Sequence, residues 1–225
     1  MGKIYRLLPV LLIALVVAGG PARAEDSPDE TVTKSLKVVK SMLAAHDRSV
    51  PQDLLQASSG VAIVPALWKG GFIVGGSYGN GVVLRHKGQS WSPPAFFKFG
   101  MASVGLQIGV QKIELILVVM GQKTMDSFLK SKFKLGADVA VAAGPVGARS
   151  SAAAEINLKG GIYSYSRTKG LFAGLSLEGG GIDATPKLNK RYYQTTSSTK
   201  DILNGKVTVP ETGRRLINEL NKYHK

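Results

Sequence analysis

The stretch GGFIVGGSYGNGVVLRH, residues 70–86, decides how the chain is read. Within it Gly75-Gly76-Ser77-Tyr78-Gly79 fits G-x-S-x-G, the turn that lifts a nucleophilic serine off a strand end in α/β-hydrolases. That turn needs a strand before the serine and a helix after it, because the helix N-terminus helps to build the oxyanion hole. Phe72-Ile73-Val74 supplies the strand, but Asn80-Gly81 is a hairpin dipeptide, and it leads into Val82-Val83-Leu84-Arg85-His86, a second strand pattern. The glycines therefore read as hairpin punctuation. A triad also needs a histidine, and the chain has only His46, His86 and His224, none with an acid spaced to orient it.

Working outward, residues 60–181 carry strand patterns throughout. GVAIV, GFIVGG, GVVLRH, AFFKFGM, VGLQIGV, IELILVVM, KLGADVAVAAG, IYSYSR and LFAGLSLEG are short runs divided by glycines and turn dipeptides. Gly144-Pro145 reads as a hairpin corner, with residues 148–158 returning. One segment, GQKTMDSFLKS at 121–131, has helical period, with Met125, Phe128 and Leu129 facing inward. Small residues inside strands let sheets bend and backbones approach. The expected fold class is α+β: an antiparallel, strongly curved or barrel-like sheet of short Gly/Ala-rich strands, flanked by helices. A transmembrane barrel would need aromatic girdles, and here the aromatics are few and scattered.

Residues 29–48 predict an amphipathic N-terminal helix. Val32, Leu36, Val39 and Leu43 form one stripe, Lys34, Lys37 and Arg48 lie opposite, and Lys40 is at the flank. Pro51 ends it, and one more helical turn follows in QDLLQAS. The basic C-terminal region predicts short helices in PKLNKRYYQ and TKDILNG. A last helix follows Pro210, with Leu216, Ile217 and Leu220 on one side.

The first 24 residues have the three parts of a secretory signal peptide. Lys3 and Arg6 precede the apolar run 7–19, and Ala22-Arg23-Ala24 is a cleavage pattern. Cleavage after Ala24 would leave 201 of the 225 residues as one domain, 25–225, with a core over about 32–193 and a helical tail at 194–225. The expected location is periplasmic or secreted. No later segment is long enough to span a bilayer as a helix; the most apolar, 113–120, contains Glu114. Without cysteine there is no disulfide, thiolate metal site or lipidated cysteine, so the core must hold the fold unaided. The formal charge of +14 falls to +11 without Lys3, Arg6 and Arg23. Such an excess favours anionic partners, and export makes nucleic acid the poorer choice among them.

Other chemistries find no support. Three dispersed histidines predict no metal centre, and no phosphate-binding loop motif is present, so neither a cofactor nor a catalytic residue is assigned. Glu114 and Asp138 fall in apolar strand patterns, where a carboxylate needs a cationic partner. Arg85 and Arg149 are the candidates, and Asp138, Arg149 and Glu114 are expected to serve a structural ion pair.

Several motifs in register carry a family resemblance. They are Trp91-Ser92-Pro93-Pro94-Ala95, Gly105-Leu106-Gln107-Ile108-Gly109, Gly144-Pro145-Val146-Gly147 and Tyr165-Ser166-Arg167-Thr168-Lys169-Gly170-Leu171. Together they closely resemble the SYLF domain family, also called the yeast actin-binding domain family, over residues 32–193. The resemblance implies a non-enzymatic lipid-binding domain whose eukaryotic relatives use basic residues and an amphipathic helix near the domain start, some of them also binding actin. An exported bacterial member would not meet actin, so phosphatidylglycerol or cardiolipin become the implied ligands. Lys34, Lys37 and Lys40 are the first candidate lipid contacts, with Lys69, Arg85 and Lys98 behind them. The alternative is an envelope structural or adaptor protein that binds an acidic protein or glycan through the same surface.

Overall fold

The structure is a computed structural model, and it describes residues 26–44, 50–145, 161–169, 171–173 and 175–223. The segment read as a signal peptide lies outside these residues, as do His46, Arg48, Arg149, His224 and the returning strand expected at 148–158.

The strand patterns around the opening motif join into two long strands. GVAIV, GFIVGG and GVVLRH are continuous in β1 (Gly60–Lys87), and AFFKFGM, VGLQIGV and IELILVVM are continuous in β3 (Ala95–Met120). The two pair antiparallel from Gly60↔Val119 to Val83↔Ala95, with register shifts between Val64 and Leu67 and between Gly71 and Ile73. They are connected through the short β2 (Ser90–Trp91), which pairs with the end of β1. Glycine bends these strands instead of ending them.

β1 doubles back on itself. The Ser59 carbonyl accepts from the His86 N–H at 3.0 Å. Further in, a Cβ on Gly81 would lie 2.6 Å from the Ile63 carbonyl oxygen, one on Gly79 2.6 Å from that of Ala66, and one on Gly75 2.5 Å from that of Gly70. These pairs converge on residues 71–74, so the halves of β1 lie side by side as two arms. β8 (Gly181–Ala184) pairs with the first part of β3, and β4 (Lys132–Lys134) pairs with β8. β6 (Gly161–Thr168) pairs with the last part of β3, and β7 (Leu171–Ala173) with β6. β5 (Val141–Ala143) runs parallel to β6. The result is the curved antiparallel sheet expected from the sequence, curled into a half-barrel.

Alternation gives this sheet two buried faces. Val61, Ile63, Val82, Leu84, Phe96, Ile116, Val118, Tyr163 and Tyr165 pack under the helices. Val64, Val83, Phe97, Phe99, Leu115 and Leu117 form the other core with Met125, Phe128, Phe133, Ile182 and Leu203. The inserted helix, α3 (Gln122–Asp126) with a 3₁₀ turn at Ser127–Leu129, buries Met125 and Phe128 there, with Leu129 at the margin.

The helical side begins with α1 (Pro28–Leu43). Ser27 and Glu30 form a reciprocal capping box at its start, and Pro28 occupies the first turn. α2 (Gln52–Ala57) follows the break at Pro51. The C-terminal region gives α4 (Pro186–Tyr193), α5 (Thr199–Leu203) and α6 (Glu211–Asn221). Leu216 and Leu220 of α6 join the cluster that contains α1, so the C-terminal helix is part of the main core. Tyr192 links the elements: its hydroxyl meets Thr212 Oγ1 at 2.8 Å, and Thr212 donates to Asp29 at 3.0 Å. The Tyr193 hydroxyl donates to the Pro94 carbonyl at 2.7 Å.

Two predictions follow from this packing. Gly81→Ala drives a methyl into a carbonyl that cannot move away, and Gly100→Ala meets nothing within 4 Å. Chemical denaturation should show G81A destabilised by about 1–3 kcal/mol and G100A little changed. Equal midpoints for the two would contradict the fold-back. Burial pushes the Tyr192 hydroxyl up to about 12 against a weaker opposing effect of Thr212, and burial raises Tyr193 as well. The unfolded tyrosines ionise near 10. The contribution is therefore complete below about pH 10 and is lost as pH rises through the folded values. Melting temperature should fall above pH 10, and less steeply in Tyr193→Phe.

Candidate functional site

Ser77 sits within β1, opposite Met101, and its buried hydroxyl has no hydrogen-bond partner among the described residues. No helix follows it. His86 is nine residues further along the same strand, roughly 30 Å at strand rise. Its ring stacks on Trp91 with centroids 4.7 Å apart, and its Nδ1 is 2.8 Å from the Ser58 carbonyl, to which it donates. Serine and histidine therefore cannot act together. Among the described residues no group of three His, Cys, Asp or Glu could hold a metal ion.

The acids take partners other than those anticipated. Glu114 pairs with Arg167, its cross-strand neighbour on β6, which grips it through both Nε and Nη2. Nη2 of Arg167 also donates to Ser41 Oγ at 2.6 Å, tying the last turn of α1 to the sheet. Arg85 instead meets Asp126 of α3 at 2.6 Å. Asp138 lies in a turn, not a strand, and accepts from the Lys134 backbone N–H at 2.7 Å. The three carboxylates are thus dispersed. Only register reveals the Glu114–Arg167 pair: the two residues are far apart in sequence, and no local spacing joins them.

The six basic candidates do not converge either. Lys34 is partly buried and pairs with Asp26 at 2.5 Å. Lys37 and Lys40 are exposed on the outer side of α1. Lys69 lies opposite Gln111 near the bend of β1. Arg85 is committed to α3, and Lys98 sits over the Tyr78 ring at 5.7 Å from its centroid. Sequence reasoning passed over Lys112, exposed beside Glu114 at 3.9 Å, and Lys169, which takes φ 48° where β6 turns into β7. The tight turn between the paired Thr168 and Leu171 accounts for that left-handed conformation, and it is visible only once the register is known.

The apolar face of α1 is not available to a ligand. Val32, Val38, Val39, Met42 and Leu43 are buried against the sheet, α4 and α6. Lifting α1 away would expose Val61, Ile63, Ile116 and Val118 beneath it. Each fully exposed side chain costs about 1.5–3 kcal/mol. The total approaches the whole stability of an ordinary domain, about 5–15 kcal/mol. As packed, α1 presents its basic side outward and keeps its apolar stripe in the core.

Fold and surface together define a helix-flanked half-barrel that displays dispersed cations and, among the described residues, no convergent catalytic set. A family model described as Ysc84, Las17-binding protein actin regulator, matches residues 100–223. Protein YSC84 of Saccharomyces cerevisiae is 33% identical over 193 residues, which is 82% of this chain and 41% of the relative. The yeast LAS seventeen-binding protein 3 is 32% identical over 79% of this chain and 40% of its own length. SH3 domain-containing YSC84-like protein 1 of Xenopus laevis is 28% identical over 84% and 59%. The chain belongs to the Ysc84, or SYLF, family, and spans about two fifths of the yeast relatives it matches.

Replacing Arg167 with Met leaves a half-buried carboxylate and the α1 tether without their donor. Urea denaturation should register a loss of about 1–3 kcal/mol, whereas Asp138→Asn on the exposed turn should stay within about 0.5 kcal/mol. An R167M midpoint equal to wild type would remove the pair from the account.

Proposed function

We propose that the protein binds anionic phospholipid membranes without catalysing a reaction, and that it does so after export and cleavage following Ala24, in the bacterial periplasm. The observation that carries the reading is the excess of exposed cations, Lys37, Lys40, Lys112 and Lys169 among them, spread over one scaffold. Each cation near a negatively charged leaflet contributes about 1 kcal/mol, so several acting together give useful affinity without a pocket. Phosphatidylglycerol and cardiolipin supply that charge. Relatives named for actin regulation lend the family a binding role, but an exported chain would not encounter actin.

A second reading has one observation in its favour: relatives are named for a protein partner, Las17. An acidic envelope protein or glycan could occupy the same basic surface, in which case one stoichiometric partner would persist through detergent. The deciding measurement is co-sedimentation of the purified protein with phosphatidylglycerol and with phosphatidylcholine vesicles over a salt series. Binding should be confined to the anionic vesicles and weaken as the Debye length shrinks below about 10 Å. Equal binding to both lipids would refute the electrostatic basis.

A further inference from the structure

The helices cover only part of the sheet face on which they pack. Alternation identifies the positions that continue that face beyond them. They run from Val82 and Leu84 back to Tyr78, from Phe96 on to Lys98, and from Ile116 back through Glu114 to Lys112 and Val110. From Tyr165 the face continues to Arg167, and Trp68, paired with Lys112, shares it. All lie toward the bend of the β1–β3 ribbon, past the point where Arg167 donates to Ser41 of α1.

The character of the face changes along this strip. Val110 is 77% exposed and Tyr78 48% exposed, and Leu171, on the adjoining β6–β7 turn, is 70% exposed. These are the large hydrophobic side chains found exposed among the described residues. Leu171 pairs with Thr168, one residue past the Arg167↔Glu114 pair, and so belongs to the opposite face from Val110. Lys98 and Lys112 share the face of Tyr78 and Val110. The one carboxylate of the strip, Glu114, is already held by Arg167.

We propose that this uncovered strip, Tyr78, Lys98, Val110 and Lys112, is the surface that seats on an anionic bilayer. The proposal rests on the membrane-binding reading above and moves the contact from α1 to the sheet. Two exposed apolar side chains, Tyr78 and Val110, make no contiguous patch of the kind a packed protein interface needs. They suit a fluid surface that closes around each one. Lysine stems lie along the apolar boundary while their ammonium groups reach phosphate, and tyrosine places its ring and hydroxyl at the same depth.

The natural absence of cysteine permits a direct test. Val110→Cys and, on the outer side of α1, Lys37→Cys are each labelled with an environment-sensitive fluorophore and mixed with phosphatidylglycerol vesicles. The label at 110 should shift to the blue, and the label at 37 should not. The double variant K98E/K112E should lose about tenfold or more in vesicle affinity. A responding label at 37 with a silent label at 110, or wild-type affinity in K98E/K112E, would overturn the placement and leave membrane binding intact. Unlabelled wild-type protein that stays off phosphatidylglycerol vesicles would sink both.

Discussion

Where Gly79 and Gly81 lie, backbone rests on backbone, with no room for a side chain between the arms of β1. The constraint has a geometric origin. A 28-residue strand drawn straight would run about 90 Å, whereas a domain of some 200 residues is roughly 40 Å across. The strand must fold back, and glycine lets its two halves meet closely enough to continue as one sheet. Everything else takes its place from that sheet. β8 and β4 extend one side through the early part of β3, and β6, β7 and β5 extend the other through its late part.

Folding the ribbon in this way creates two core faces, and covering them consumes the apolar surface of the helices. α1 is amphipathic because it packs, not because it waits for a membrane. Its capping box, its buried stripe and the Arg167–Ser41 tether all fix it to the sheet. Several cations are likewise committed to structure: Lys34 to Asp26, Arg85 to Asp126 and Arg167 to Glu114. The charge that remains for a partner is therefore smaller than the composition suggests, and its position matters more than its total.

Much of the fold was legible in the sequence, because period and punctuation are local signals. The 3.6-residue stripe of α1, the Met125–Phe128 turn and the helices around Leu188 and Leu216 all followed from patterns a few residues wide. The unity of β1 and β3 was not legible. A glycine that ends a strand and one that lets it bend look alike until the opposing carbonyl of Ile63 or Ala66 is in place. The partners of Glu114 and Arg85 were hidden for the same reason, since register across distant strands and packing of α3 decide them. Lys112 and Val110 carried no motif. They matter through what the alternation of strands places beside them, and alternation can be used only once the pairing is known.

The choice between α1 and the bare end of the sheet turns on what each surface would give up. The outer side of α1 offers charge alone, because its hydrophobic side chains are already spent on the core. A purely coulombic contact is screened within about 10 Å at 0.1 M salt. The strip beyond the helices offers charge and also the exposed Val110 and Tyr78, so a membrane can bury apolar area there without unpacking the core. Removing apolar area from water is not screened by salt at all. A surface that combines both terms keeps its hold on a membrane under ionic conditions in which a basic helix face would let go.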